Sequence, residues 1–216
     1  MGGMDVADAN RVVFPVAVGL FLFVGLVVPI VRLRVRAGVW AVTSLRSKQA
    51  PEIVLHVVLA GSLAGLAVWA VLHAVLGAEA LGVWRLPSYL TVVGWLLAFG
   101  GIVGIVVAQA QMGVSWRIGI EEEEQTALVT RGVYRYVRNP IYSALFVVLA
   151  GACLASPSGW SITACLLAGG GIWVQTRREE RHMLASHGEA YAAWAREVGR
   201  FVPGVGRLRY DGEPEA

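Results

Sequence analysis

Five apolar runs divide the chain. Residues 12–31 and 89–108 are each 20 residues long and carry no charged side chain, while 52–76 is built on Val, Leu and Ala, with His56 and His73 as its polar interruptions. A helix needs ~20 such residues to cross the hydrocarbon of a bilayer, so each run predicts a membrane-spanning helix. Two shorter runs, 141–155 and 160–175, are separated by Ser156-Pro157-Ser158-Gly159. At ~1.5 Å per residue they reach roughly 22–25 Å, which predicts a helical hairpin that just spans the membrane. The expected fold is all-α: a polytopic membrane protein with about five transmembrane helices, the last two a short hairpin, plus a cytosolic C-terminal helix. Residues 1–108 hold the first three helices, and 109–216 hold the polar segments and the hairpin.

Composition agrees with that reading. The chain is 56% hydrophobic and 15% charged, with a mean hydropathy of +0.63, which excludes an ordinary soluble domain. The first run is too long for the apolar core of a cleaved signal peptide. It is followed by Arg32, Arg34 and Arg36, a stop-transfer pattern. With five spans and the N-terminus outside, Arg11 and Arg85 are the only ones of the 18 Lys and Arg left outside, as the positive-inside rule asks. The cytosolic side then holds 32–51, 109–140 and everything after 176. The net charge of +3 follows from this bias and does not imply nucleic acid.

Other features exclude more than they assign. Cys153 and Cys165 fall in the hairpin, and no Cys/His cluster has metal-ligand spacing, so no metal is expected. The C-terminal GEPEA is not a prenylation box. Gly61-x-x-x-Gly65 and Gly100-x-x-x-Gly104 are spacings that let helices approach closely, within the chain or between two copies. His56 and His73 are titratable groups inside a span, where such groups often mark function. The glutamates at 121–124 read as a solvated juxtamembrane loop. Residues 177–200 read as a helix that can break at Gly188, with Leu184, Tyr191, Trp194 and Val198 on one face as for a helix lying on the membrane.

The chemistry concentrates around the hairpin. Asn139-Pro140 is a helix start, with Asn expected to cap the free N–H groups and Pro tolerated at the first position. The positive end of that helix lies beside Arg135 and Arg138, which together make an anion site. The second hairpin helix returns to the same face and ends in Gln175-Thr176-Arg177-Arg178-Glu179-Glu180. A pocket with a cationic and an acidic wall, flanked by Tyr134, Tyr136 and Tyr142, suits a small zwitterionic ligand at a membrane surface.

The stretch LVTRGVYRYVRNPIY, followed by EERHMLASHGEAYAAWAREVGRFVP, resembles the isoprenylcysteine carboxyl methyltransferases and their phospholipid methyltransferase relatives. The resemblance covers roughly residues 126–203. It implies an S-adenosylmethionine-dependent enzyme acting on a lipophilic or lipidated substrate that arrives from the bilayer. By the same resemblance, Thr126, Ala127, Leu128, Val129, Tyr134, Asn139, Pro140, Ile141, Tyr142 and Glu179 would hold the cofactor, with Glu179 on its ammonium. Arg138, Asn139 and Glu180 would form the catalytic set, Glu180 ordering Arg135 or Arg138. Two positions depart from the pattern. Asn139 stands where the family has His, and Gln175, in the substrate position, stands where the carboxyl methyltransferases have an arginine; Arg177 or Arg178 could substitute for it. A substrate needing deprotonation would turn to Glu180, His182 or a tyrosine. The rival readings are a phospholipid N-methyltransferase, an NADPH-dependent sterol-type reductase, or a non-catalytic membrane protein.

Overall fold

The computed structural model describes residues 6–38, 50–113 and 128–208. All five apolar runs are helical. Helix α1 (Val6–Leu22) runs through a π-helical turn, Phe23–Val27, into α2 (Val28–Ala37). Then come α3 (Ala50–Leu76), α4 (Ser88–Met112), a 3-10 turn at Gly132–Arg135, α5 (Pro140–Ala155) and α6 (Gly159–Glu197). Two stretches, Ala9–Arg36 and Ser88–Met112, are long and apolar enough to cross a membrane by length and composition.

The π-turn has a local cause. Pro29 has no N–H to give the carbonyl of Gly25, so the ladder shifts, and Val28 N–H reaches Phe23 O instead. The orphaned carbonyl is filled from outside the helix: Gln109 Nε2 of α4 donates to Gly25 O at 2.8 Å. An apolar environment offers no water for this purpose, so a side chain has to supply the donor.

Helices α4 and α5 pack closest. A Cβ on Gly151 would stand 2.5 Å from Ala98 N, one on Gly94 would stand 2.6 Å from Ala155 N, and one on Gly101 would stand 2.7 Å from Val148 Cγ2. The contact stripe is therefore Gly94, Ala98 and Gly101 with Gly104 at its end. Gly61 and Gly65 on α3 have nothing within 4 Å, nor does Gly100, which faces 100° away from its neighbour Gly101 in the stripe.

The end of the bundle opposite the 139–140 helix start is tied by buried polar groups. Asn10 donates to Ala155 O at 3.0 Å and accepts from Trp95 Nε1 at 2.9 Å. His73 is fully buried, meets Ser156 Oγ at 3.2 Å and stacks on Phe14. His73 thus joins α3 to the hairpin tip, a helix length away from Pro140. The side chain of His56 and the glutamates at 121–124 lie outside the described residues.

The helix expected after the last apolar run is not separate from it. Helix α6 continues through both, starts with a capping box between Ser158 and Ser161, and changes direction at Gly188 (φ 52°). Of the expected stripe, Tyr191 and Val198 are buried in the protein while Leu184 stays exposed. Tyr191 and Val198 thus hold this half of the helix against the rest of the chain.

Candidate functional site

The polar site forms where the start of α5 meets α6 and the chain after it. The 3-10 turn and residues 136–139 run alongside residues 198–206. Val137 bridges to Gly199, Arg138 N–H donates to Gly199 O at 2.8 Å, and Asn139 N–H donates to Arg200 O at 3.1 Å. Arg138 sits at the centre, its side chain 1% exposed. Its Nη1 donates to Ala195 O (2.7 Å) and Val198 O (2.8 Å), and its Nη2 to Gly206 O (3.0 Å). Its Nε and Nη2 each lie 3.1 Å from Glu180 Oε1. All five guanidinium N–H positions are thereby used, and the fork stitches α5, α6 and the last turn together.

Glu180 is shared. Its Oε1 takes Arg138 and Asn139 Nδ2 (2.9 Å), and its Oε2 takes Arg200 Nε (2.9 Å) and Nη2 (2.8 Å). Arg200 also lies over the Trp173 ring. A carboxylate taken out of water survives only with such compensation. Arg135 is not part of this cluster: it turns outward, hydrogen-bonds Tyr136 Oη and stacks on that ring.

The expectation that Asn139 caps α5 is corrected here. Its side chain makes no cap bond: its Nδ2 donates to Glu180 Oε1 and Arg200 O, and these bonds orient the amide toward them instead of toward the helix's free N–H groups. The N–H groups of Ile141 and Tyr142 are consequently left without a partner among the described residues, and they point out of the positive end of a helix.

Glu179 faces a different neighbour, as consecutive helical residues must. Its Oε1 accepts from Tyr142 Oη at 2.6 Å and from Gln175 Nε2 at 2.8 Å. Burial, with Glu180's charge nearby, raises its pKa above the usual carboxylate value, and the two hydrogen bonds oppose the shift without cancelling it. Its second oxygen, Oε2, has no partner among the described residues. Tyr134 is buried, and its hydroxyl donates to Ala108 O at 3.3 Å at the end of α4. Burial, then Glu179's charge, raises the Tyr134 pKa; burial, then Glu180's charge, raises that of Tyr191. Both phenols keep their protons at neutral pH.

Gly132 anchors the approach to this turn. Its φ is +65°, and a Cβ there would stand 2.0 Å from Gln111 Oε1, which accepts from Val133 N–H. Residues 128–130, just before it, are non-helical and make no backbone hydrogen bond among the described residues. Leu128 and Val129 thus have backbone groups to offer, whereas Thr126 and Ala127 lie outside the described residues.

Arg138, Asn139, Glu180, Tyr142, Glu179 and Gln175 are thus brought to one end of the bundle. Among the described residues His182 meets Ser186 on its own helix, and Arg177 lies over Trp173. The sequence reading missed Arg200 and Gln111. Arg200 was inside the quoted motif, but no spacing rule singles it out.

Residues 89–190 match the phospholipid methyltransferase family. The fold is similar to that of the solved eukaryotic intramembrane Ras methyltransferase, the isoprenylcysteine carboxyl methyltransferase. That similarity has a TM-score of 0.55 and 19% sequence identity, over 94% of this chain and 74% of the other. No curated protein matches the sequence.

Proposed function

We propose, for a chain whose motif-bearing residues 89–190 match the phospholipid methyltransferases, that this is an integral membrane methyltransferase. It would use S-adenosylmethionine and act on a lipophilic substrate reached from the bilayer. The observation that carries the reading is the convergence of the two matched motifs: the 139–142 helix start and the Glu179–Glu180 pair meet through direct hydrogen bonds.

The donor set fits S-adenosylmethionine. Its carboxylate suits the two uncapped N–H groups of Ile141 and Tyr142, and its ammonium suits Glu179 Oε2. The backbone at Leu128 and Val129, which makes no hydrogen bond among the described residues, suits a nucleoside edge, and the resemblance adds Thr126 and Ala127 to it. When bound, the cofactor supplies a methyl group activated by a sulfonium. This chain's part is to hold both partners in line and to exclude water. Arg138, Glu180 and Arg200 fix the Asn139 helix start, so Arg138 and Glu180 are positioning residues. Tyr142 and Gln175 hold Glu179 in place. Both oxygens of Glu180 are engaged and the buried tyrosines keep their protons, so a nucleophile that needs no base suits this site.

Residues 1–108 would serve as the membrane scaffold and 109–216 as the cofactor-binding half. Five spans with the site on the cytosolic face are supported by the cations. Arg32, Arg34 and Arg36 lie beyond the apolar part of the first helix, and Arg131 and Arg135 stand at the start and end of the site's 3-10 turn. At the other end, Arg11 donates to Val75 O and Arg85 pairs with Glu79.

Thermal unfolding of the detergent-purified protein with S-adenosylmethionine, S-adenosylhomocysteine and NADPH in parallel tests this reading. A ligand that binds only the folded state raises Tm. Stabilisation by the two adenosyl compounds alone is expected. Stabilisation by NADPH alone would move the protein to the reductases, and no shift at all would leave a non-catalytic role.

A further inference from the structure

The first helix carries a second feature, unrelated to the proposed methyl transfer. Phe23, Val27, Val28, Val31, Arg32, Val35 and Arg36 line a groove of about 400 Å³ with an almost wholly apolar lining. Positions 23, 27, 31 and 35 recur every four residues, and 28, 32 and 36 run beside them, so the groove follows one helix face. The π-turn at Phe23–Val27 lies at its start. Val27, Val31 and Val35 are exposed. Leu33, about 200° away from Val31 and Val35, is buried against Ile30, Met112 and Ile141. The groove therefore faces away from the site.

The arginines decide what could fill it. Arg32 and Arg36 lie one turn apart at one end of the groove, which they line with their aliphatic stems while the charged heads lie beyond its apolar lining. Both are exposed, and neither has an ion-pair or hydrogen-bond partner among the described residues. Arg34, on the other side of the helix, is occupied with Gly38 O. A positive-inside bias accounts for arginines after a span, but not for an apolar groove that runs into two of them. Such a groove matches an amphiphile with an anionic head.

We infer that this face is a binding site for one anionic phospholipid of the inner leaflet. An acyl chain lies along Val27, Val31 and Val35, and the phosphate sits between Arg32 and Arg36. Two cations at a headgroup should favour an anionic over a zwitterionic lipid by about tenfold or more.

The test is native mass spectrometry of the full chain taken from vesicles of equal phosphatidylglycerol and phosphatidylcholine. The expected result is one retained phosphatidylglycerol in preference to phosphatidylcholine. The preference should be lost in Arg32→Ala/Arg36→Ala and kept in Arg181→Ala/Arg207→Ala, a charge-matched change at two other exposed arginines. Val31→Trp, which fills the groove without altering charge, should also reduce retention. No preference in the wild type, or equal loss in both double variants, would overturn the inference. So would full displacement by soluble glycerol phosphate, since the apolar groove would then contribute nothing.

Discussion

Arg138 gives the sharpest test, because the motif resemblance places it in the catalytic set while its burial and its bonds make it a structural clamp. A catalytic arginine keeps donors for substrate, but here all five are spent on Glu180 and on the carbonyls of Ala195, Val198 and Gly206. Arg138→Ala strips three buried carbonyls of their donor, at about 1–3 kcal/mol each if nothing replaces it. It also breaks a buried ion pair, a change that typically costs about 3–5 kcal/mol. The terms share one cavity and do not add. Glu180 also keeps Arg200 and Asn139, and water can enter the vacated space. A net loss of about 3–5 kcal/mol is therefore expected, against a typical total of about 5–15 kcal/mol. Arg138→Lys retains the charge, but its donors sit on one nitrogen that cannot span Glu180 and Gly206, so roughly half that loss is expected. Denaturant unfolding in detergent measures both, and limited proteolysis should show the 198–206 segment cut first. If Arg138→Ala unfolded within about 0.5 kcal/mol of wild type yet lost turnover, the guanidinium would be acting on substrate, and the clamp argument would be refuted.

Two further expectations rest on other parts of the structure. Glu179 has a folded-state pKa raised above its unfolded value, so the folded protein binds more protons than the unfolded chain in the window that opens near the ordinary value and closes at the raised one. Stability should fall as pH rises through that window. The isosteric Glu179→Gln should flatten the slope in unfolding measured across pH, and it should weaken S-adenosylhomocysteine binding by roughly tenfold or more. A slope unchanged in Glu179→Gln would show that the carboxyl is not the titrating group. At the α4–α5 crossing, Gly151→Ala should cost about 1–3 kcal/mol, because the new methyl meets backbone atoms at 2.5 Å and 2.6 Å that cannot swing aside. Gly100→Ala, which meets nothing within 4 Å, should leave the melting temperature within a degree or two, and equal losses would place the contact stripe on the wrong face.

The sequence by itself determined the helices and the region of the site. Apolar runs of bilayer length have few alternatives, since an unpaired backbone is so costly away from water. Asn139-Pro140 and Ser156-Pro157-Ser158-Gly159 mark their limits through turn and cap chemistry that acts within a few residues. The two motifs around the hairpin were legible for the same reason: a helix that leaves one face and another that returns to it must bring their ends together. Only the tertiary structure decided which way each helix is rotated. That rotation puts Gly94 and Gly101, rather than Gly100, against α5, and turns Arg138 inward while Arg135 points out. The last turn of the chain folds back beside residue 138 and delivers Arg200 to Glu180. It also draws Asn139's amide away from the helix it was expected to cap. Those outcomes depend on contacts between residues 20 to 61 positions apart, and local propensity carries no information about them.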